Sequence, residues 1–161
     1  MTYHARPDMI DRSAGLEDGG SVFALRSRRS NFLEGSEACR VSVLDPQDDL
    51  GLSPALRAAV ARRVARSGGS DRLLAEYRAP AEAELAELAE GAMPADPALA
   101  AIAAHADMIA AEPAKASANH LAALADAGLT TPQIIALSEL LAFVCFQIRV
   151  VHGLSLLDAV R

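Results

Sequence analysis

Glu139, Gln147, Arg149 and His152 interrupt an otherwise apolar stretch near the end of this chain, GLTTPQIIALSELLAFVCFQIRVVHGLSLL, and with Cys145 in the same stretch two chemistries can be written. Cys145, Arg149 and His152 are spaced i, i+4 and i+7, along one face of a helix. A guanidinium and an imidazole beside a thiol favour the thiolate, the form that attacks a peroxide or an electrophilic carbon, so this triplet is the candidate catalytic set. Against it stands the ordinary behaviour of a free cysteine as a small core hydrophobe. Glu139 and Arg149 offer the second chemistry, a pocket for a small carboxylic acid or lactone with Arg149 clamping the carboxylate. The plainer alternative is ion pairing to other helices or another subunit, because ten residues of helix separate the two by about 15 Å.

Other polar clusters have simpler readings. His105 and His120 fall in neighbouring helices, and without acidic partners at ligand spacing they suggest surface or packing histidines. No metal and no cofactor is expected. Arg57, Arg62, Arg63 and Arg66 read as a solvated or salt-bridged helix face, as does the acidic run over 82–90. Cys39 and Cys145 lie far apart in no metal spacing; with no export signal in MTYHARPDMIDRS, a reduced pair and a cytoplasmic location are expected. A net charge of −6 argues against nucleic acid, which needs clustered Lys and Arg.

The elements that must carry these residues are helical. Hydrophobic content is 52%, much of it alanine and leucine, while aromatics are 4%, a balance that favours helices over sheets. Residues 1–20 form a poorly ordered or short-helix segment, with one turn around 8–14, and 21–161 form a single all-α domain. Ser21 caps a short helix. Ser30 or Asn31 starts another, lined by Phe32, Leu33, Cys39, Val43 and Leu44 and stopped by Asp45-Pro46. Ser53-Pro54 opens a helix that Gly68-Gly69 closes, and Ser70 or Asp71, then Asp96-Pro97, open two more. AEAELAELAEG is a helix by propensity, with Leu85 and Leu88 inward. The last helix, begun by Thr130, Thr131 and Pro132, is apolar nearly all round. It is therefore expected to be central and enclosed, partly by a second subunit, and Arg149 within it must meet a carboxylate, backbone carbonyls, water or a bound anion, a protein carboxylate being the first choice. Its charges, Glu139 and Arg149, set it apart from a membrane span. Gly51-Leu52-Ser53-Pro54 also echoes Gly128-Leu129-Thr130-Thr131-Pro132, each ahead of an apolar helix.

The segment HADMIAAEPAKASANHLAALADAGLTTPQIIALSELLAFVCFQIRVVHGL resembles the carboxymuconolactone decarboxylase and alkyl hydroperoxidase D superfamily, within its peroxidase-related subgroup. The resemblance covers roughly residues 99–157, more faintly 52–77. It implies an all-helical fold of two related halves, assembled as an oligomer. The family's redox branch carries Cys-x-x-Cys-x-x-x-His, in which one thiolate attacks and the second closes a disulfide. The corresponding segment here, ARSGGSDRLLAEYRA, has neither cysteine nor histidine. Setting Ser70 and Leu73 against the cysteines puts Tyr77 at the histidine; starting at Gly69 gives Arg72 and Glu76. Dithiol peroxidase activity is therefore not expected.

Three functions stay open: an enzyme on a small organic acid or lactone, a one-cysteine peroxidase using Cys145, or a catalytically silent oligomeric subunit partnering a CxxC-bearing relative. A homodimer is the expected assembly, since a lone domain would expose much of so apolar a helix.

Overall fold

The computed structural model describes residues 7–160. Among them the chain forms nine α-helices and one 3-10 turn and no strand: α1 (Met9–Ala14), α2 (Ser21–Ser27), α3 (Ser30–Leu44), α4 (Pro54–Ser67), α5 (Asp71–Glu76), α6 (Ala83–Ala89), α7 (Pro97–Ala111), the turn Pro113–Lys115, α8 (Ala118–Asp126) and α9 (Thr131–Ala159). The fold is all-α.

Local chemistry sets most boundaries. Ser53 Oγ accepts from the Leu56 N–H at 3.2 Å with Pro54 in the first turn of α4, and Asp96 Oδ1 accepts from Leu99 N at 2.8 Å ahead of Pro97 and α7. At α9 the Thr130 N–H reaches back to Gln133 Oε1 at 2.8 Å. Each contact satisfies a backbone donor that a helix start leaves free. The short N-terminal helix is a core element: Met9, Ile10 and Ala14 are buried, and α1 packs on α5 and α9. Of the N-terminal segment over 1–20, residues 1–6 lie outside the described residues.

The two echoed turns share a local geometry. Gly51 and Gly128 both adopt the left-handed region, at φ 81° and 96°, Leu52 and Leu129 are both buried, and a hydroxyl residue with a proline then opens α4 and α9. Left-handed φ suits glycine because a Cβ would crowd the backbone.

Helices α4 and α9 together form the centre of the fold, α9 touching α1, α2, α3, α4, α7 and α8. Helix α4 contacts α3, α5, α6, α7 and α9, and its Ala59, Ala61 and Ala65 are fully enclosed. Small side chains let five neighbours approach one helix closely. At its end Gly68 passes under α9: a Cβ there would come within 2.9 Å of Ile148. Within one chain α9 is incompletely covered: nine of its 29 residues are buried, and Ile135, Phe146 and Leu156 lie exposed on it. By length and composition α9 is apolar enough to cross a membrane, with half of its most apolar window buried in the fold. Its apolar circumference thus reflects residue type and not complete burial within one chain.

Candidate functional site

Helix α9 positions all four residues singled out for chemistry, and its geometry disperses them. Cys145 points into the core at 7% exposure. Arg149 is exposed and its Nη1 donates to the Cys145 carbonyl oxygen at 3.0 Å, bonding the backbone of its own helix and not the thiol. His152, also exposed, places Nε2 2.5 Å from Gly68 O at the end of α4. Arg149 thus takes a backbone carbonyl, one of the partners open to it, and not the carboxylate expected first, because position 149 is exposed on α9. Nor do Glu139 and Arg149 share a pocket. Glu139 lines a groove between α3 and α9, and Arg149 does not.

The polar residue that α9 does bury is Gln147, at 1% exposure. The Tyr77 hydroxyl donates to Gln147 Oε1, and Gln147 Nε2 lies 3.5 Å from Met9 Sδ. Burial pushes the Tyr77 phenol pKa up, outweighing the nearby Arg40 charge, so the hydroxyl stays a donor. In one register Tyr77 stands where the redox family has its histidine. Here Ser70 caps α5 by accepting from Leu73 N at 3.3 Å, Leu73 is fully buried and Tyr77 ties α5 to α9. That segment is packing. Gln147 was visible in the sequence only as a polar interruption of α9; its partner came from 70 residues away.

The arginines of α4 also differ from a solvated face. Arg57, 3% exposed, donates to three main-chain carbonyls: Leu52 O at 2.8 Å, Val43 O at 3.0 Å and Asp49 O at 2.9 Å. It thereby fixes the loop between α3 and α4, where Leu50 is left-handed at φ 55°. Arg63, 7% exposed, takes both Asp107 oxygens at 2.7 Å and the carbonyls of Leu88 and Ala92 at 3.0 and 2.7 Å. Arg62 and Arg66 meet Glu90, as a salt-bridged face should. The forked guanidinium reaches several acceptors at once, which is how arginine resides inside a fold.

His105 is buried with Nδ1 unpartnered, and burial, then the nearby His120, lowers its pKa. His120 Nδ1 accepts from Ser117 N at 3.1 Å and caps α8. Among the described residues no three His, Cys, Asp or Glu side chains gather as metal ligands would.

A groove of about 860 Å³ runs between α3 and α9. Phe32, Gly35, Cys39 and Ser42 line it from α3, and Glu139, Ala142 and Phe146 from α9. Here α3 departs from its expected packing: Phe32 is 58% exposed and Cys39 lies open to the groove. The periodicity of α3 was too weak to tell its inner from its outer face, so the groove went unseen in the sequence. No family model, no curated protein and no solved structure matches this chain.

Proposed function

We propose that this chain is an assembly subunit of the carboxymuconolactone decarboxylase and alkyl hydroperoxidase D-like kind that runs no dithiol redox cycle of its own. The observation that carries it is the dispersal of chemistry on α9: Cys145 is buried while Arg149 and His152 bind main-chain carbonyls. A buried thiol cannot meet a hydroperoxide, and a guanidinium held by a carbonyl does not stabilise a thiolate. The likeness of the turns opening α4 and α9, two helices in contact, supports two related halves. Together with the residue-level resemblance, it supports the family as the frame. In that frame the chain is a cytoplasmic homo-oligomer, and a CxxC-bearing relative would supply any thiol step.

Purified protein given an alkyl hydroperoxide and a dithiol reductant should consume peroxide no faster than buffer with reductant. Turnover lost in Cys145→Ser would defeat the reading. Turnover lost in Cys39→Ser would favour a second one, which the open position of Cys39 supports. There the Cys39 thiolate takes one peroxide oxygen to become a sulfenic acid, the alcohol leaves, and the dithiol restores the thiol with release of water.

A further inference from the structure

We propose that the groove between α3 and α9 is a two-fold interface, in which the α3 helices of two copies of this chain cross in antiparallel register. This rests on the reading as an assembly subunit and names the surface it uses. The first support is the poor cover on α3: of fifteen residues only Val43 is buried, Gly35 sits mid-helix, and the helix start has no side-chain cap. A helix of this length is marginal in water and takes its stability from packing of one face. The second is the form of the groove. Of its lining residues Phe32, Gly35, Cys39, Glu139, Ala142 and Phe146 are exposed, while Val43 and Phe143 are buried. A small-molecule site encloses most of its ligand, whereas an open trough between two helices accommodates a third helix.

Self-complementarity decides for a second copy over a foreign helix. The groove-lining residues of α3 fall at equal intervals either side of position 37: Phe32 opposite Ser42, Gly35 opposite Cys39. A two-fold contact requires that where i meets j, j meets i. An antiparallel crossing centred there sets each bulky Phe32 over the partner's small Ser42, with Gly35 and Cys39 allowing close approach at the crossing. Glu37 does not face its own copy across the axis, because Arg40 of the same helix holds its carboxylate at 2.6 and 2.9 Å. Charge agrees as well. Arg29 lies 3.9 Å over the Phe32 ring at one end of the groove. Phe146 lines the continuation of the groove beside Phe32, so Glu139, two helical turns earlier, lies toward the other end. Among the described residues neither Arg29 nor Glu139 has an ion-pair partner in its own copy. The antiparallel crossing brings each Arg29 to the second copy's Glu139 end.

Sedimentation of the full chain across micromolar concentrations tests this, with circular dichroism confirming that each variant folds. A dimer is expected, weakened about tenfold or more by Arg29→Glu or by Glu139→Arg and recovered when both are present. Maleimide labelling of Cys39, in a Cys145→Ser background, should slow as protein concentration rises through the dimerisation range. A dimer indifferent to both single variants, with Cys39 labelled equally fast at every concentration, would overturn the interface and leave the assembly reading intact. A monomer at all concentrations would overturn both.

Discussion

Helices α4 and α9 both begin from a left-handed glycine, a buried leucine, a hydroxyl residue and a proline, yet their surroundings differ. α4 has four arginines in PALRAAVARRVARS and is surrounded by five helices; α9 is apolar on nearly every side and leaves a long stripe uncovered. The difference teaches that position follows size and reach as much as polarity. Alanines at 59, 61 and 65 let neighbours close in, and long guanidinium arms leave the packed zone to find carbonyls. Large aliphatic side chains keep neighbours further off. A helix built of them covers a core with one face and needs something else for the other.

The sharpest way to break this comparison is to remove the arms. Arg57→Met keeps most of the stem but takes the guanidinium from three carbonyls, of which Asp49 O keeps the Leu52 N–H, and the loop before α4 loses its anchor. A loss of about 3–5 kcal/mol is expected, a large share of the ~5–15 kcal/mol that holds a domain together. Arg57→Lys should recover little, since an ammonium lacks the fork. Arg63→Met comes next, somewhat milder because the Asp107 it releases is half exposed and can hydrate. Urea melts of these variants give the order; if either melts like wild type, the guanidinium arms of α4 do not hold its surroundings in place.

Tyr77→Phe probes the buried hydrogen bond that ties α5 to Gln147 of α9. Gln147 Oε1 would lose its donor while remaining buried, for a cost of about 1–3 kcal/mol. The same change has a pH signature. The folded-state pKa of Tyr77 is raised above its ordinary 10.0, so above about pH 10 the unfolded chain loses its proton first and stability falls. Thermal melts from pH 8 to 11 should show a steeper alkaline decline in wild type than in Tyr77→Phe.

His105 works at the opposite end of the pH scale. Burial and then His120 depress its pKa below the ordinary 6.5, so the unfolded chain takes up the proton first as pH falls. The stability present above about pH 6.5 is therefore lost on acidification toward the folded-state value. His105→Leu should flatten that part of the profile; an unchanged acid limb between pH 7 and 5 would show that His105 is not held neutral.

Helix boundaries were legible because their causes are local. Ser53-Pro54, Asp96-Pro97 and Thr130 with Gln133 act within one turn, and those starts are found where the residues predict. The all-α class followed from the same alanine and leucine content. What the sequence did not reveal depends on contacts between distant segments. Nothing near Arg57 advertises the carbonyls of Val43 and Asp49, and nothing near Gln147 advertises Tyr77. Hydropathy scores a residue's own preference, so it pointed to α9 as central, where six helices touch it, without showing which of its faces the chain leaves open. The chemistry suggested by Cys145, Arg149 and His152 was correct in its helical spacing, but spacing cannot say which residues a neighbouring helix covers.

The smallest expected effect is the one that best separates the two helices. Arg149 has the same side chain as Arg57, on a helix far more apolar, and intuition from sequence alone assigns it the larger role. In the fold it is exposed and makes one bond, to the Cys145 carbonyl one turn back. A carbonyl inside a helix already accepts from the amide four residues on, so the guanidinium adds a second donor and its loss strands nothing. The charge is free to hydrate in either state, so no buried carboxylate is uncovered when it goes. Arg149→Met should therefore shift stability by no more than about 0.5 kcal/mol. Thermal unfolding of Arg149→Met beside Arg57→Met, at one pH and salt, measures the contrast directly. If Arg149→Met costs as much as Arg57→Met, position 149 is buried after all and α9, not α4, is the enclosed helix.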